Sequence, residues 1–371
     1  TIVVSYPYGM SEQRLVREWP VTLIHSNEGL TGIGRGPAGR ILPKGAQGKV
    51  GVSDLISQEL APLLIDQDPL RISLLWQRMY ATAWRFGGPR GAAMSHIGAL
   101  DVALWDLYGK VCGQPVWRML GGYRDRVPAY ADGIGYPEQI DQSPEAVAAL
   151  VKKHIDLGYT AVKFHAYNAE PHDVLEKVRL SREAIGPEKK LMIDLHRVWD
   201  GKLAAEMARQ FEPYNLYWIE EPVRLDDETG YLRMVREATD VLVAGGESEP
   251  TLYGVRRLLV EGGLQVVQTD ILGGGGFTGL MRMAALAEAH NAYIAPHGAS
   301  FPEINCHLVS AVPNGLLVPA CPHTEPYQIW SKLYEPPFQI AKGEIELSDR
   351  PGLGLEFNET FISEYATEAA N

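Results

Sequence analysis

The chain has 371 residues, 46% hydrophobic and 22% charged, so it is long enough to bury a large core without disulfides. Its 34 basic and 46 acidic residues give a net charge of −12, which argues against a nucleic-acid partner, and no apolar stretch is long enough to predict a membrane span. Three isolated cysteines without a CxxC pair favour a reduced, cytoplasmic setting, and no secretory signal is expected at the N-terminus.

The N-terminal third predicts a small α+β unit. Residues 16–26 and 30–34 have the pattern of a β-hairpin. A loop rich in glycine and proline follows over 35–51, and residues 52–64 carry apolar side chains at helical spacing. Residues 92–111 are apolar on most faces, which predicts a buried helix.

From about Val127 short apolar runs alternate with amphipathic helical stretches. The predicted strands are 159–164, 190–195, 215–220, 241–244, 264–269 and 292–295. The predicted helices are 143–158, 171–185, 202–212, 228–238, 251–261 and 278–290. Strands that alternate with helices of this length predict a parallel sheet.

The repeat length narrows the fold class. The residues at successive strand ends are Asp194, Glu220, Glu247, Asp270 and His297, spaced by 26, 27, 23 and 27 positions. A sustained period of this size favours a TIM-like (β/α) barrel, which takes roughly 250 residues. A doubly wound sheet is the alternative, but no GxGxxG opens a helix here.

Ionisable side chains stand at six successive predicted strand ends, where barrel enzymes place their active sites. They are Lys163, His165, Asp194, His196, Glu220, Glu247, Asp270 and His297. Side chains two positions apart share a face, so the first two point together and so do the next two. The pattern leaves open whether Glu220 or Glu221 faces inward.

The residue types indicate the chemistry. Three carboxylates on successive strands suit a hard divalent cation such as Mg²⁺, and no cysteine belongs to the set. A carboxylate next to a histidine, as Asp270 next to His297, favours the charged imidazole and tunes it as an acid or base. Lys163 is expected to bind a substrate carboxylate or to act as a base.

Several ordered motifs carry a family resemblance. They are EGLTGIG at 28–34, ALDVALWDLYGKVCGQPVWRMLGG at 99–122, VKFH at 162–165, IDLH at 193–196, WIEEP at 218–222, GGE at 245–247, QTDILGGGG at 268–276 and APHG at 295–298. The set resembles the enolase superfamily, in its mandelate racemase-like subgroup, over nearly the whole chain.

The resemblance implies an α/β fold with a (β/α)7β barrel over 126–334 and an α+β capping domain over 1–125, completed by the tail 335–371. It implies an essential Mg²⁺ with the ligands Asp194, Glu220 and Glu247. It also implies a dyad of Asp270 and His297, and a homo-oligomer.

Two departures from the family pattern bear on the reaction. His165 stands in place of the second lysine of a K-x-K motif. The glutamate that racemases of the family place about 20 residues after the dyad histidine is also missing: that region reads LLVPAC around Pro319, and its nearest acid is Glu325. Asp194-Leu195-His196 resembles the D-x-H arrangement of sugar-acid dehydratases in the subgroup.

The sequence therefore predicts a magnesium-dependent dehydratase of a sugar acid, an aldonate or aldarate. Removal of the proton α to the carboxylate gives an enediolate, and loss of the β-hydroxyl then gives a 2-keto-3-deoxy acid. The alternative is a racemase, epimerase or cycloisomerase that acts on a hydroxy acid or sugar-acid lactone through the same enediolate.

Roles are assigned as expectations. His297 is the predicted acid, and His165 or Lys163 is the predicted base, with His196 as a competitor. Substrate contacts are expected from Lys163, Glu325, Arg14 and Arg85, with Arg35 and Arg90 as further candidates. The loops 6–18, 35–51 and 84–92 are expected to close over the barrel mouth.

Overall fold

The computed structural model describes residues 2–8, 15–36, 41–43, 55–86, 88–90, 93–136, 141–167, 170–321 and 331–369. An antiparallel sheet opens the chain. Its first strands are β1 (Ile2–Tyr8), β2 (Leu15–His25), β3 (Thr31–Arg35) and β4 (Ile41–Pro43). The strand β2 pairs with each of the other three. The β2–β3 pairing confirms the predicted hairpin.

Helices follow this sheet along the chain. They are α1 (Ile72–Ala83), α2 (Ala93–Cys112) and α3 (Val116–Met119). The helix α2 is buried on most faces, as predicted. The helix predicted over 52–64 is instead a π-helical turn, Leu55–Leu60, followed by a 3₁₀ turn, Ala61–Leu63. Pro62 explains the break, because it has no backbone N–H to continue the helical hydrogen bonds.

A parallel barrel follows. Within the described residues its strands are β5 (Arg126–Ile134), β6 (Ala161–His165), β7 (Lys190–Asp194), β8 (Leu216–Glu220), β9 (Leu242–Gly245), β10 (Val266–Val267), β11 (Tyr293–Ile294) and β12 (Val318–Ala320). They run in the order β11-β10-β9-β8-β7-β6-β5-β12. The barrel closes where Leu316 N–H donates to the carbonyl of Ile294 at 2.9 Å.

Helices connect the barrel strands in turn. They are α4 (Pro144–Asp156), α5 (Pro171–Ile185), α6 (Gly201–Phe211), α7 (Glu228–Ala238), α8 (Leu252–Val260), α9 (Gly276–Ala289) and α10 (Pro302–Ala311). Ser143 caps α4 by accepting a hydrogen bond from the Ala146 N–H, a role that serine favours. The alternation confirms the predicted (β/α)7β barrel with an α+β cap. None of the described helices is long and apolar enough to cross a bilayer.

The tail joins both parts. Its elements are β13 (Tyr334–Glu335), β14 (Glu344–Glu346), β15 (Glu356–Phe357), α11 (Glu359–Tyr365) and β16 (Ala366–Ala369). The strand β16 pairs with β1, so the chain end returns to the N-terminal sheet as the sequence predicts. The strand β14 instead pairs with the start of the barrel strand β5.

Buried polar contacts hold the cap on the barrel mouth. The Trp76 indole donates to the carbonyl of Gly275 at 2.8 Å, and Asp101 accepts the Thr278 N–H at 3.0 Å. Gly275 and Thr278 lie at the start of α9, whereas Trp76 and Asp101 belong to the cap helices α1 and α2. Gly98 allows the approach, because a Cβ there would lie 2.2 Å from the carbonyl oxygen of Leu272.

His307 ties the tail to α10 and α3. Its Nδ1 accepts the Trp117 N–H at 3.2 Å, and its Nε2 faces the Leu353 carbonyl at 3.3 Å. The Nε2 atom therefore carries the proton of a neutral ring. The residue is buried, and burial lowers the pKa of the imidazole to about 4.

We expect His307 to make the protein acid-sensitive. Its folded pKa lies below the value of about 6.5 in the unfolded chain, so stability is complete above pH 6.5. Between that pH and 4 the unfolded chain takes up a proton that the folded protein does not, which removes up to about 3 kcal/mol. Urea unfolding of wild type and His307→Gln from pH 7 to 4 measures the difference, with the exposed His290→Gln as control. Parallel curves for wild type and His307→Gln would contradict it.

Candidate active site

A layer of buried side chains fills the barrel interior and fixes which residues face the mouth. One comes from each strand or its flank: Tyr130, Ala161, Met192, Trp218, Ala244, Val266, Ala295 and Leu317. Two positions further along, the inward side chains are Asp132, Lys163, Asp194, Glu220, Gln268 and His297. Side chains alternate along a strand, so Glu220 faces inward with Trp218 and Glu221 does not.

Lys163 lies at the centre of a buried group of carboxylates. Its Nζ donates to Glu220 Oε1 at 2.5 Å and lies 3.6 Å from Asp194 Oδ2 and 3.9 Å from Asp132 Oδ1. Burial by itself lowers the pKa of Lys163, but the charges of Asp132 and Glu220 reverse that effect and raise the pKa well above its usual value. Lys163 is therefore the cation that compensates this group.

Glu220 also accepts two neutral hydrogen bonds. The Trp218 indole donates to its Oε2 at 3.0 Å, and the Gln268 amide donates to the same oxygen at 2.7 Å. Burial, together with the charge of Asp194, raises the pKa of Glu220 to about 7 even beside Lys163. A divalent cation would reduce the electrostatic repulsion between these two neighbouring buried carboxylates.

His165 links two carboxylates and a second histidine. Its Nε2 lies 2.7 Å from Asp132 Oδ1, and its Nδ1 lies 2.8 Å from His196 Nε2 and 3.2 Å from Asp194 Oδ2. Burial lowers the pKa of His165, but Asp132 and Asp194 together raise it to about 9. For His196, burial dominates and lowers the pKa to about 4.

Two tyrosines stack on these imidazoles. The Tyr136 ring lies 4.6 Å from the His165 ring, and the Tyr167 ring lies 4.0 Å from the His196 ring, between centroids. The second pair is nearly parallel, at 14°. These contacts fix the planes of both histidines.

The turn after β7 is held in an unusual conformation. His196 and Arg197 have positive φ values of 48° and 62°. The His196 N–H donates to Asp194 Oδ1 at 3.0 Å, which fixes that carboxylate. Strained backbone of this kind is typical of functional sites, where surrounding contacts compensate it.

Glu247 is positioned by cations. Its Oε1 accepts from Arg197 at 2.7 Å, and its Oε2 lies 3.2 Å from His297 Nε2. Arg197 also donates to Glu221, whose Oε1 accepts the N–H of Gly246 at 2.8 Å. Glu221 thus shapes the turn that carries Glu247 without facing the barrel interior.

The structure places His297 beside Asp270. His297 Nδ1 lies 3.5 Å from Asp270 Oδ2, while Asp270 Oδ1 accepts the N–H groups of Leu272 and Gly273. Desolvation by the surrounding protein lowers the pKa of the partly exposed His297, but Asp270 and Glu247 raise it to about 10. Its side chain is 41% exposed, so a ligand at the mouth can reach it.

The predicted substrate contacts have different outcomes. Arg14 and Glu325 lie outside the described residues, and Arg85 is exposed. Arg35 is buried, and its guanidinium forms an ion pair with Glu303 at 2.8 Å. This contact gives Arg35 a structural role in place of the expected substrate contact. Arg90 pairs with Glu249 at 3.1 Å and so links the 84–92 loop to the barrel.

Asp132, Arg197 and Gln268 belong to the site and were not predicted. Asp132 lies within the first barrel strand, β5, in the segment YADG, two positions after the inward Tyr130. Applying the alternation rule to that strand would have found it. Arg197 gives no comparable signal, because its role depends on the positive φ of the turn.

The donor set fits a divalent cation. The donors lie at the carboxyl ends of three successive strands: Asp194 ends β7, Glu220 ends β8 and Glu247 follows β9. They offer only oxygen, which magnesium prefers. In the structure their charges are balanced by Lys163 and Arg197. A different group has its potential ligand atoms closest together. Within the part of the chain that is described, one atom each of His165, Asp194 and His196 lie within 4.8 Å of one another.

The chain matches known families over most of its length. Residues 4–121 match the mandelate racemase / muconate lactonizing enzyme N-terminal domain family, and residues 146–361 match the enolase C-terminal domain-like family. Both matches agree with the resemblance found in the sequence motifs.

Individual relatives are similar over nearly their whole length. The chain is 31% identical to a D-galactonate dehydratase of Pectobacterium atrosepticum, over 96% of this chain and 93% of the relative. It is also 31% identical to a 3,6-anhydro-alpha-L-galactonate cycloisomerase of Streptomyces coelicolor, over 83% and 82%. A mandelate racemase/muconate lactonizing enzyme from a marine actinobacterium, solved in complex with magnesium, superposes with a TM-score of 0.85 at 26% identity and 99% coverage of both chains.

Proposed function

The chain belongs to the mandelate racemase-like subgroup of the enolase superfamily, a family of enzymes. We propose that this protein is a magnesium-dependent dehydratase of an aldonate or aldarate. The observation that carries the proposal is a pair of carboxylate-backed histidines, His165 with Asp132 and His297 with Asp270. His165 is the last residue of β6 and His297 follows β11. These two strands are separated by two strands around one side of the barrel and by four around the other.

Dehydration needs two proton transfers. In the proposal the neutral form of His165, or of Lys163, takes the proton from the carbon next to the substrate carboxylate. Asp132 and Asp194 raise the pKa of His165 to about 9, so this form is the minor one at neutral pH. His297 gives a proton to the leaving β-hydroxyl, because the Asp270 carboxylate supports its charged form. Lys163 also supplies a positive charge for the substrate carboxylate, and His196 is the competing base.

The proposed magnesium ligands are Asp194, Glu220 and Glu247. When bound, magnesium supplies positive charge against the negative charge that develops on the substrate carboxylate as the α-proton leaves. The magnesium in a related structure and the all-oxygen donor set support this assignment.

Epimerisation or cycloisomerisation is the second candidate. If two histidines lie on opposite sides of the substrate, one can remove the α-proton from one face of the carbon and the other can return a proton to the opposite face. The 31% identity to a cycloisomerase supports this alternative. The two candidates differ in whether water is lost.

We expect a sugar acid, incubated with the enzyme and Mg²⁺, to yield a 2-keto acid that semicarbazide detects. Treatment with EDTA should abolish the product, and added Mg²⁺ should restore it, because the carboxylate set would lose its cation. Heat-treated enzyme is the control. Exchange of the α-proton in D₂O without keto acid would favour the second candidate, and activity that survives EDTA would contradict the metal assignment.

Two further proposals accompany the function. The cap over 1–125 with the tail 335–371, and the barrel over 126–334, are proposed as the two domains. A homo-oligomer is proposed, and light scattering of the purified chain measures it.

A further inference from the structure

We propose that His165, Asp194 and His196 form a second cation site, selective for a borderline transition ion such as Zn²⁺ or Co²⁺. Asp194 also belongs to the proposed magnesium set. An ion at the second site would therefore compete with magnesium and inhibit the enzyme. The competition rests on the proposed function, whereas the binding of the ion does not.

The three ligand atoms have the spacing of a coordination polyhedron. His165 Nδ1 lies 2.8 Å from His196 Nε2 and 3.2 Å from Asp194 Oδ2, and the last two atoms are 3.6 Å apart. Ligands bound at about 2.0–2.2 Å to one transition ion lie roughly 3–3.5 Å from each other. The observed distances of 2.8, 3.2 and 3.6 Å lie close to this range, so a small ion would replace the hydrogen bond between the two imidazoles after a small separation of their nitrogens.

Neighbouring groups orient two of the three ligand atoms toward this position. Asp132 Oδ1 lies 2.7 Å from His165 Nε2, so the ring donates its Nε2 proton there and turns Nδ1 toward the other ligands. The His196 N–H holds Asp194 Oδ1 at 3.0 Å, which leaves Oδ2 directed at both imidazoles. A carboxylate behind a histidine ligand is the usual support of a metal-bound imidazole.

The rings are also fixed and reachable. Tyr136 and Tyr167 stack on the two imidazoles at 4.6 and 4.0 Å between centroids. The His196 side chain is 25% exposed, which gives an ion a route from the barrel mouth. Lys163 is 3.6 Å from Asp194, but its shorter contact is the one with Glu220, at 2.5 Å.

The donor types decide which ion the site prefers. Two imidazole nitrogens and one carboxylate suit zinc, cobalt or iron(II), whereas magnesium prefers oxygen ligands. Three protein ligands leave coordination positions for water or a substrate hydroxyl. An ion there would occupy His165, the proposed base, and remove Asp194 from the magnesium set.

Titration of the metal-stripped, full-length protein with Co²⁺ tests the site, because its visible absorption reports nitrogen ligation. We expect one Co²⁺ per chain in the wild type. His165→Asn and His196→Asn should each lose the absorption band. Asp132→Asn keeps all three ligands and should weaken binding about 10–100-fold, because only the support behind His165 is changed.

Two matched variants separate this site from the magnesium set. His297→Asn removes another histidine of the mouth, and Glu247→Gln changes a proposed magnesium ligand outside the group. Both should keep the Co²⁺ band. Circular dichroism of every variant confirms that it is folded.

Loss of the band in Glu247→Gln, with retention in His165→Asn and His196→Asn, would place Co²⁺ in the carboxylate set and overturn the proposal. Absence of a 1:1 band in the wild type would also overturn it. A failed substrate screen would leave the titration unaffected, so the two proposals fail separately.

Discussion

His297→Asn is expected to lower kcat for 2-keto acid formation by about 10²–10⁴-fold, which is the usual contribution of a general acid or base. Asparagine keeps a polar side chain at the mouth but cannot give a proton to the leaving hydroxyl. KM should change much less, because His297 contributes to the chemical step in the proposal. Steady-state kinetics on the substrate found in the screen measures both constants, with the exposed His172→Asn as control.

The same variants assign the two histidines. In D₂O, His297→Asn should still exchange the α-proton, while His165→Asn should lose both exchange and product. If His297→Asn loses the exchange and His165→Asn keeps it, the roles are reversed and His297 is the base. Unchanged kcat in His297→Asn would remove it from the mechanism.

Lys163→Met is expected to lower the free energy of unfolding of the metal-free protein by about 3–5 kcal/mol. Removing one partner of a buried ion pair leaves an uncompensated buried charge, and that penalty sets the magnitude. Here the carboxylates of Asp132, Asp194 and Glu220 would lose their shared cation. Urea unfolding at neutral pH, after treatment with EDTA, measures the loss.

Lys152→Met is the matched control. Lys152 pairs with Asp156 on the outer face of α4, where both side chains are more than half exposed. Its loss should change stability by less than about 1 kcal/mol, as for exposed pairs in general. If the two substitutions lower the free energy of unfolding equally, the buried charge of Lys163 contributes no more to stability than an exposed one.

The sequence predicts the barrel because the pattern of a (β/α) repeat is local. Each strand is a short apolar run, each helix has a polar face, and the period near 25 residues fixes the order of the strands. The helices 171–185 and 228–238 are observed with the predicted bounds. The capping hairpin is equally local, since a turn joins its two strands.

The alternation of side chains predicts less of the site than it contains. It places Lys163 and His165 on one face, and the structure brings both to the barrel mouth. The alternation does not decide which of Glu220 and Glu221 faces the barrel interior. That decision needs a neighbouring residue whose side chain is known to point inward. The buried Trp218 is that residue, and only the packed interior shows it.

By itself, the sequence determined the family, the barrel with its cap, and the ionisable side chains that come to the mouth, because these follow from periodicity and strand ends. Tertiary structure alone decided their partners: Asp132 behind His165, Lys163 on Glu220, and Arg197 between Glu221 and Glu247. These contacts join residues 24 to 57 positions apart, and their geometry depends on strand register and on a turn with positive φ. No local pattern encodes such a contact, because its energy arises only when the barrel has closed and excluded water.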